Sequence, residues 1–158
     1  MNIKVAHPNG HCKGSINITG SKSETNRLLL LQALFKGFEL KNVSNSDDSQ
    51  VMQKALETSS SVIDIHHAGT AMRFLTAYFS HQEGRSVVLT GSSRMQERPI
   101  QILVDALRTL GASIDYENKE GFPPLKIMGK KLQGGKVELP ASLLFGASGF
   151  SSMEMALP

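Results

Sequence analysis

Thr19-Gly20-Ser21-Lys22-Ser23-Glu24-Thr25-Asn26-Arg27 is where the chain turns from an extended segment into a helix. Before it, Ser15-Ile16-Asn17-Ile18 alternates polar and apolar residues, the pattern of a strand with one buried face. After it, apolar residues dominate as far as Phe35 and Gly37 stops the run, which predicts a helix over Lys22–Phe35. Ser21 and Glu24 have the spacing of a capping box. Phe38–Val43 then reads as a strand and Asp47–Leu56 as a helix opened by Asn45-Ser46-Asp47-Asp48. Carboxylates in a first helical turn complement its free amides and positive end. Val62–Ile65 reads as a short buried strand.

The same order then recurs. Gly69–Phe79 reads as a helix, Ser86–Thr90 as a strand and Pro99–Leu110 as a helix, with Pro99 in its first turn and Gly111 as its C-terminal cap. Ser113–Tyr116 and Leu125–Met128 are predicted strands, separated by an acidic loop and Pro123-Pro124, and Lys136–Leu139 a last one after Gly134-Gly135. Upstream, Asn2–Val5 alternates like Ser15–Ile18, and Pro8-Asn9-Gly10 between them suggests a hairpin-like pair. The halves match as copies. Gly20-Ser21 with Arg27 opens one, Gly69-Thr70 with Arg73 the other, each with a Ser-rich turn (Ser44–Ser46; Ser92-Ser93) before its second helix. A repeat of about 50 residues is a unit that buries its apolar face against its siblings.

The whole chain of 158 residues, 40% hydrophobic and 20% charged, has enough apolar content for a folded core. No apolar run approaches the roughly 18–20 residues that span a bilayer. The start lacks the apolar core of a secretory signal, and the lone Cys12 cannot form an internal disulfide, so a cytoplasmic location is expected. Seventeen Lys and Arg against fourteen Asp and Glu leave a net charge of +3, a lean toward anionic partners. No basic run with interleaved aromatics supports nucleic-acid binding.

The quoted stretch also carries the chemistry. A small-residue turn opens a helix whose amides and positive end favour an anion. Lys22 adds a mobile charge, Ser23 a hydroxyl, and Arg27, four residues on and on the same helix face, a planar fork for carboxylate or phosphate. Ser23 reads equally as a capping residue, and Lys22 and Arg27 as solvated charges. Five residues rather than four between Gly14 and Gly20, and Ser21 before Lys22, exclude a P-loop. Ala68-Gly69-Thr70-Ala71-Met72-Arg73 repeats the arrangement, with Gly69 leaving its backbone open to close approach. Arg73 suits either a ligand or an ion pair between the copies. Arg94 and Arg98, in the loop Gly91–Ile100, read as an anion clamp or as exposed residues around Glu97. His66-His67, adjacent in a strand, would point to opposite faces and not share a metal. Asp47 and Asp48 read as helix-start residues rather than an acid-base pair, and Cys12 as a small packing residue.

Gly20-Ser-Lys-Ser-x-x-x-Arg27, Ala68-Gly-Thr-Ala-Met-Arg73 and Arg94-Met-x-x-Arg98-Pro-Ile, in this order, resemble the EPSP synthase (3-phosphoshikimate 1-carboxyvinyltransferase) family, the glyphosate target of the shikimate pathway. Asn45–Asp48, Leu103–Leu107, Gly111-Ala112 and Pro123–Leu125 extend the resemblance over about residues 10–140. The sister family that acts on UDP-N-acetylglucosamine is less similar, since this chain has Ser23 in place of its Asn and no Cys in the arginine loop. The resemblance implies an α/β fold of repeated βαβαββ units, of which this chain carries two of the three in one domain. The first unit falls at about residues 14–65 and the second at 66–128, followed by an atypical tail at 141–158. Residues 1–13 would belong with a partner domain.

The activity implied is transfer of enolpyruvyl from phosphoenolpyruvate to the 5-hydroxyl of shikimate 3-phosphate, releasing phosphate, with no metal or organic cofactor. By motif position Lys22, Ser23 and Arg27 would hold shikimate 3-phosphate; Lys22, Gly69 and Arg98 would hold phosphoenolpyruvate; Arg73 and Arg94 would support them. No residue here is expected to transfer protons, because the family's carboxylates for that step lie in its other domain. This chain alone would then keep half a site and little turnover, or serve as a non-enzymatic anion-binding module. His67 and Phe74 stand where many family members have Asn and Pro. An apolar face left open by the absent third unit, patched in part by residues 141–158, is expected to promote self-association.

Overall fold

A computed structural model describes Gly10 and residues 14–35, 37–133, 135–139 and 153–154. The proposed hairpin around Asn9-Gly10 and most of the tail at 141–158 lie outside the described residues.

The second half folds as its pattern dictates. β1 (Val62–Asp64), α3 (Gly69–His81) and β2 (Ser86–Thr90) form a parallel crossover. After α4 (Ser93–Gln96) and α5 (Gln101–Thr109), β3 (Ser113–Tyr116) and β4 (Leu125–Met128) pair antiparallel. β4 inserts between β2 and β3, so the sheet runs β1-β2-β4-β3. Period-2 alternation puts Ile63, Val87, Leu89, Ile114, Leu125 and Ile127 on one face, all buried. α3 and α5 cover that face with Met72, Leu75, Phe79, Val104 and Leu107, also buried. Each such side chain contributes about 1.5–3 kcal/mol of burial. The opposite face carries Asp64, Ser86, Asp115 and Lys126 and faces solvent, with Val62 and Met128 exposed among them.

In the first half, α1 (Lys22–Leu34) packs on α2 (Asp47–Glu57), and both lie against α3. Thr25, Asn26 and Leu29 are α1's buried residues, and Ser49, Met52 and Ala55 are α2's. A polar chain fixes the pair: Ser46 Oγ donates to Ser49 Oγ at 3.1 Å, and Ser49 Oγ to Asn26 Oδ1 at 2.8 Å. The Asn26 amide nitrogen, also buried, has no partner among the described residues.

Several expectations are corrected. Ser15–Ile18 and Phe38–Val43 form no strands; one backbone hydrogen bond, Gly20 N–H to Asn42 O at 3.0 Å, ties these segments together. Strand pattern needs a neighbouring strand to become a ladder, and no further strand flanks them among the described residues. Ser21 is the N-cap of α1, but its side chain makes no capping hydrogen bond, so the capping box does not form. Pro99 precedes α5 instead of entering its first turn, because Ile100 is the N-cap. Gly111, at φ 95°, does follow the C-cap Leu110 in the left-handed conformation favouring glycine. The last strand is only β5 (Glu138–Leu139), paired with β6 (Met153–Glu154). Among the described residues no helix is long and apolar enough to cross a membrane.

Candidate functional site

Three helix N-termini and the loop after β2 meet on one side of the molecule. At the first, Lys22 reaches across to α2, its Nζ 3.6 Å from Asp48 Oδ2. Asp48 is therefore more than a helix-start carboxylate: it holds the mobile ammonium between two helix mouths. Arg27 folds back along α1, with Nη1 donating to Ser23 O at 2.8 Å, and its guanidinium lies 5.8 Å from the centre of the Phe74 ring on α3. That contact joins the first mouth to the second. Ser23 is exposed and its hydroxyl makes no hydrogen bond among the described residues, so it does not act there as a cap. A cavity of about 240 Å³ beside this mouth is lined by Gly20, Ser21, Glu24, Thr25 and residues 40–43.

At the mouth of α3 two guanidiniums converge. Arg73 Nη1 donates to Gly69 O at 3.1 Å. The position a Cβ would take on Gly69 lies 2.6 Å from Arg98 Nη1 and 3.7 Å from Arg73 Nη1. The space freed by the glycine is thus taken by the arginine forks. Burial, and then the like charge of Arg98, hold Arg73 below the ordinary arginine pKa. No carboxylate among the described residues lies within ion-pair distance of Arg73 or Arg98. Two adjacent cations with no counter-charge favour a bound anion. Among the described residues, then, Arg73 forms no ion pair between the copies.

A second cavity of about 240 Å³ connects the mouths of α2 and α3, lined by Asp47, Asp48, Gln50, Val51 and residues 65–68. Through Asp48 it borders Lys22, and through Ala68 it borders Gly69. The structure therefore gathers Lys22, Arg27, Gly69, Arg73 and Arg98 around one region. Arg94 lies exposed on α4, with neither a hydrogen bond nor an ion pair to Glu97 among the described residues. The supposed open loop there is a short helix capped by Ser92, whose Oγ accepts from Met95 N at 3.3 Å.

Two residues noted in the sequence without a part in holding a ligand line the site. Asp48 is paired to Lys22 by tertiary structure, which no local pattern reports. His67 sits in a turn after β1, not in a strand, and its Nδ1 lies 3.5 Å from Ser92 Oγ, bridging the α3 mouth to the arginine segment. His66 takes a left-handed φ of 49°, with its N–H donating to Asp64 Oδ1 at 2.8 Å.

The sequence model of the EPSP synthase (3-phosphoshikimate 1-carboxyvinyltransferase) family matches residues 53–148. Proteins named 3-phosphoshikimate 1-carboxyvinyltransferase are similar to the chain. That of Bacteroides fragilis is 54% identical over 83% of this chain and 32% of its own. That of Photobacterium profundum is 41% identical over 90% of this chain and 40% of its own. An EPSP synthase structure from Acinetobacter baumannii shares the fold, with a TM-score of 0.71 at 23% identity over 80% of this chain and 35% of that one. This confirms the expected α/β fold. The chain spans about a third of the length of the Bacteroides relative and two fifths of the Photobacterium one.

Proposed function

The chain belongs to the EPSP synthase family, and from that premise we propose that it supplies the anion-binding half of an enolpyruvyl-transfer site. The reaction is addition followed by elimination. The 5-hydroxyl of shikimate 3-phosphate gives up its proton as its oxygen bonds to C2 of phosphoenolpyruvate, and C3 gains a proton. Phosphate then leaves C2 while C3 loses a proton, restoring the vinyl group. Both substrates are polyanions, so fixed cations and helix mouths are the groups this step needs from a binding half.

In this reading Lys22 sits between both substrates, Ser23 and Arg27 hold the phosphorylated ring, and Gly69 and Arg98 hold phosphoenolpyruvate. Arg73 backs Arg98 and Arg94 supports from α4. The observation that carries the reading is the pair of forks at Gly69 with no carboxylate among the described residues to neutralise them. In this reading none of these residues transfers the protons, so little turnover is expected from this half-site alone.

Titration calorimetry with each substrate tests this. Phosphoenolpyruvate binding should weaken at least tenfold in Arg98→Ala, and shikimate 3-phosphate binding similarly in Arg27→Ala, in line with about 1.5–3 kcal/mol for a charged hydrogen bond. Absence of binding at millimolar substrate overturns the assignment. A phosphate-release assay separates the second reading, a non-enzymatic anion-binding module. Turnover matching that of the complete Bacteroides relative would refute the half-site proposal.

A further inference from the structure

We propose that Phe74 is a positioning residue for Arg27: its ring holds the guanidinium at the first helix mouth before a substrate arrives. This rests on the assignment of shikimate 3-phosphate to Arg27. Arg27 stands on the exposed side of α1, where a long side chain would ordinarily sweep through many rotamers. Two contacts limit it. Nη1 donates to Ser23 O at 2.8 Å, and Cζ lies over the Phe74 ring, 5.8 Å from its centre. The first ties the arginine only to its own helix. The second ties it to α3, where Phe74 is half-buried and packed against the core, so the ring itself has little freedom.

Two other guanidiniums lie over rings among the described residues, in a different setting. Arg85, over Phe79, also donates to Thr58 O. Arg108, over Tyr116, donates to Ile114 O and lies 3.9 Å from Asp105 Oδ1. Both are half-buried and join separate segments of the fold. Arg27 is exposed, joins no other segment by a hydrogen bond, and has no carboxylate within ion-pair distance among the described residues. A guanidinium carries five N–H donors, so most of this fork is left for an anion. Stacking on a ring takes the face of a guanidinium and leaves its in-plane donors free. An arginine already held loses less freedom on gripping a ligand, and that is what the ring contributes.

Titration calorimetry of the 158-residue chain with shikimate 3-phosphate and with phosphoenolpyruvate tests it. Phe74→Leu and Phe74→Met keep an apolar side chain but remove the ring face. Each should weaken shikimate 3-phosphate binding about two- to fivefold, the measure of an exposed cation–π contact, and leave phosphoenolpyruvate binding as in the wild type. Phe74→Tyr, which keeps the ring, should bind both as the wild type does. In an Arg27→Ala background Phe74→Leu should add nothing. By nuclear magnetic resonance, the Arg27 Nε–Hε signal, identified by its loss in Arg27→Ala, should move in Phe74→Leu and hold its place in Phe74→Tyr. If both substrates weaken alike, or Phe74→Leu costs as much without Arg27, the ring acts through packing and the proposal is overturned. Unchanged shikimate 3-phosphate binding in Phe74→Leu overturns it as well, while a loss in Arg27→Ala still upholds the substrate assignment. If Arg27→Ala binds as tightly as the wild type, the underlying assignment fails and takes the role of the ring with it.

Discussion

Replacing Gly69 with alanine separates the stability of α3 from anion capture at its mouth. Gly69 is the first residue of α3 and has no positive φ, so alanine fits the backbone. Alanine is the better helix former by up to about 1 kcal/mol, so the fold should hold or gain slightly. The new Cβ would lie 2.6 Å from Arg98 Nη1 and 3.4 Å from its Cζ. These atoms end a flexible side chain, and restoring ordinary contact distances moves the fork by roughly 1 Å. The helix therefore stays and the guanidinium leaves. Loss of one charged hydrogen bond, about 1.5–3 kcal/mol, raises the phosphoenolpyruvate Kd roughly ten- to a hundredfold at 1.4 kcal/mol per decade. Urea unfolding and titration calorimetry on the same preparation read both quantities. In an Arg98→Ala background the glycine substitution should add nothing to the Kd. Unaltered binding in Gly69→Ala, or an equal further loss without Arg98, refutes the placement of that arginine.

Asp48→Asn releases Lys22 from its counter-ion; stability should fall by at most about 1 kcal/mol, as for a partly exposed pair, while calorimetry shows severalfold tighter substrate binding. Phe79→Ala removes a fully buried ring that meets Tyr78 edge-on at 5.2 Å and lies under Arg85 at 4.9 Å; denaturant unfolding should report a loss of about 3–5 kcal/mol. Burial, followed by the charge of Asp105, raises the Tyr116 pKa above its ordinary value, against an opposing contribution from Arg108. The neutral phenol is thus favoured in the fold: the associated stability is complete below about pH 10 and is lost as pH rises through the folded-state pKa. Ultraviolet titration of a Tyr78→Phe variant, with urea midpoints across that range, should show late phenol ionisation and falling stability.

The second half of the chain was legible because its strands find their partners close by. Ser86–Thr90, Ser113–Tyr116 and Leu125–Met128 alternate with a period of two and appear at the predicted bounds, since each lies beside another within one sheet. Ser15–Ile18 alternates just as clearly and yet forms no strand. Alternation reports which side of a segment is apolar, whereas a ladder is a property of two segments. α4 escaped because four residues are too few for a helical period to register, and only the cap at Ser92 betrays it.

The functional residues divide along the same physical line. Lys22, Arg27, Gly69, Arg73 and Arg98 could be picked from the sequence because a turn opening a helix announces free amides and the nearby cations are local. Their grouping was not local: it depends on α1 lying against both α2 and α3, which brings Asp48 to Lys22 and Phe74 to Arg27 across 26 and 47 positions. The role of Gly69 changes most. Sequence suggests an opening for a ligand to meet the backbone, but the structure fills it with the Arg98 fork. An anion at this mouth would therefore meet the guanidinium and the helix amides together. A mouth of amides alone favours an anion through partial charges, whereas a mouth with a guanidinium in it that no described carboxylate pairs presents a full charge. The glycine matters here less for a ligand's access than for the arginine's.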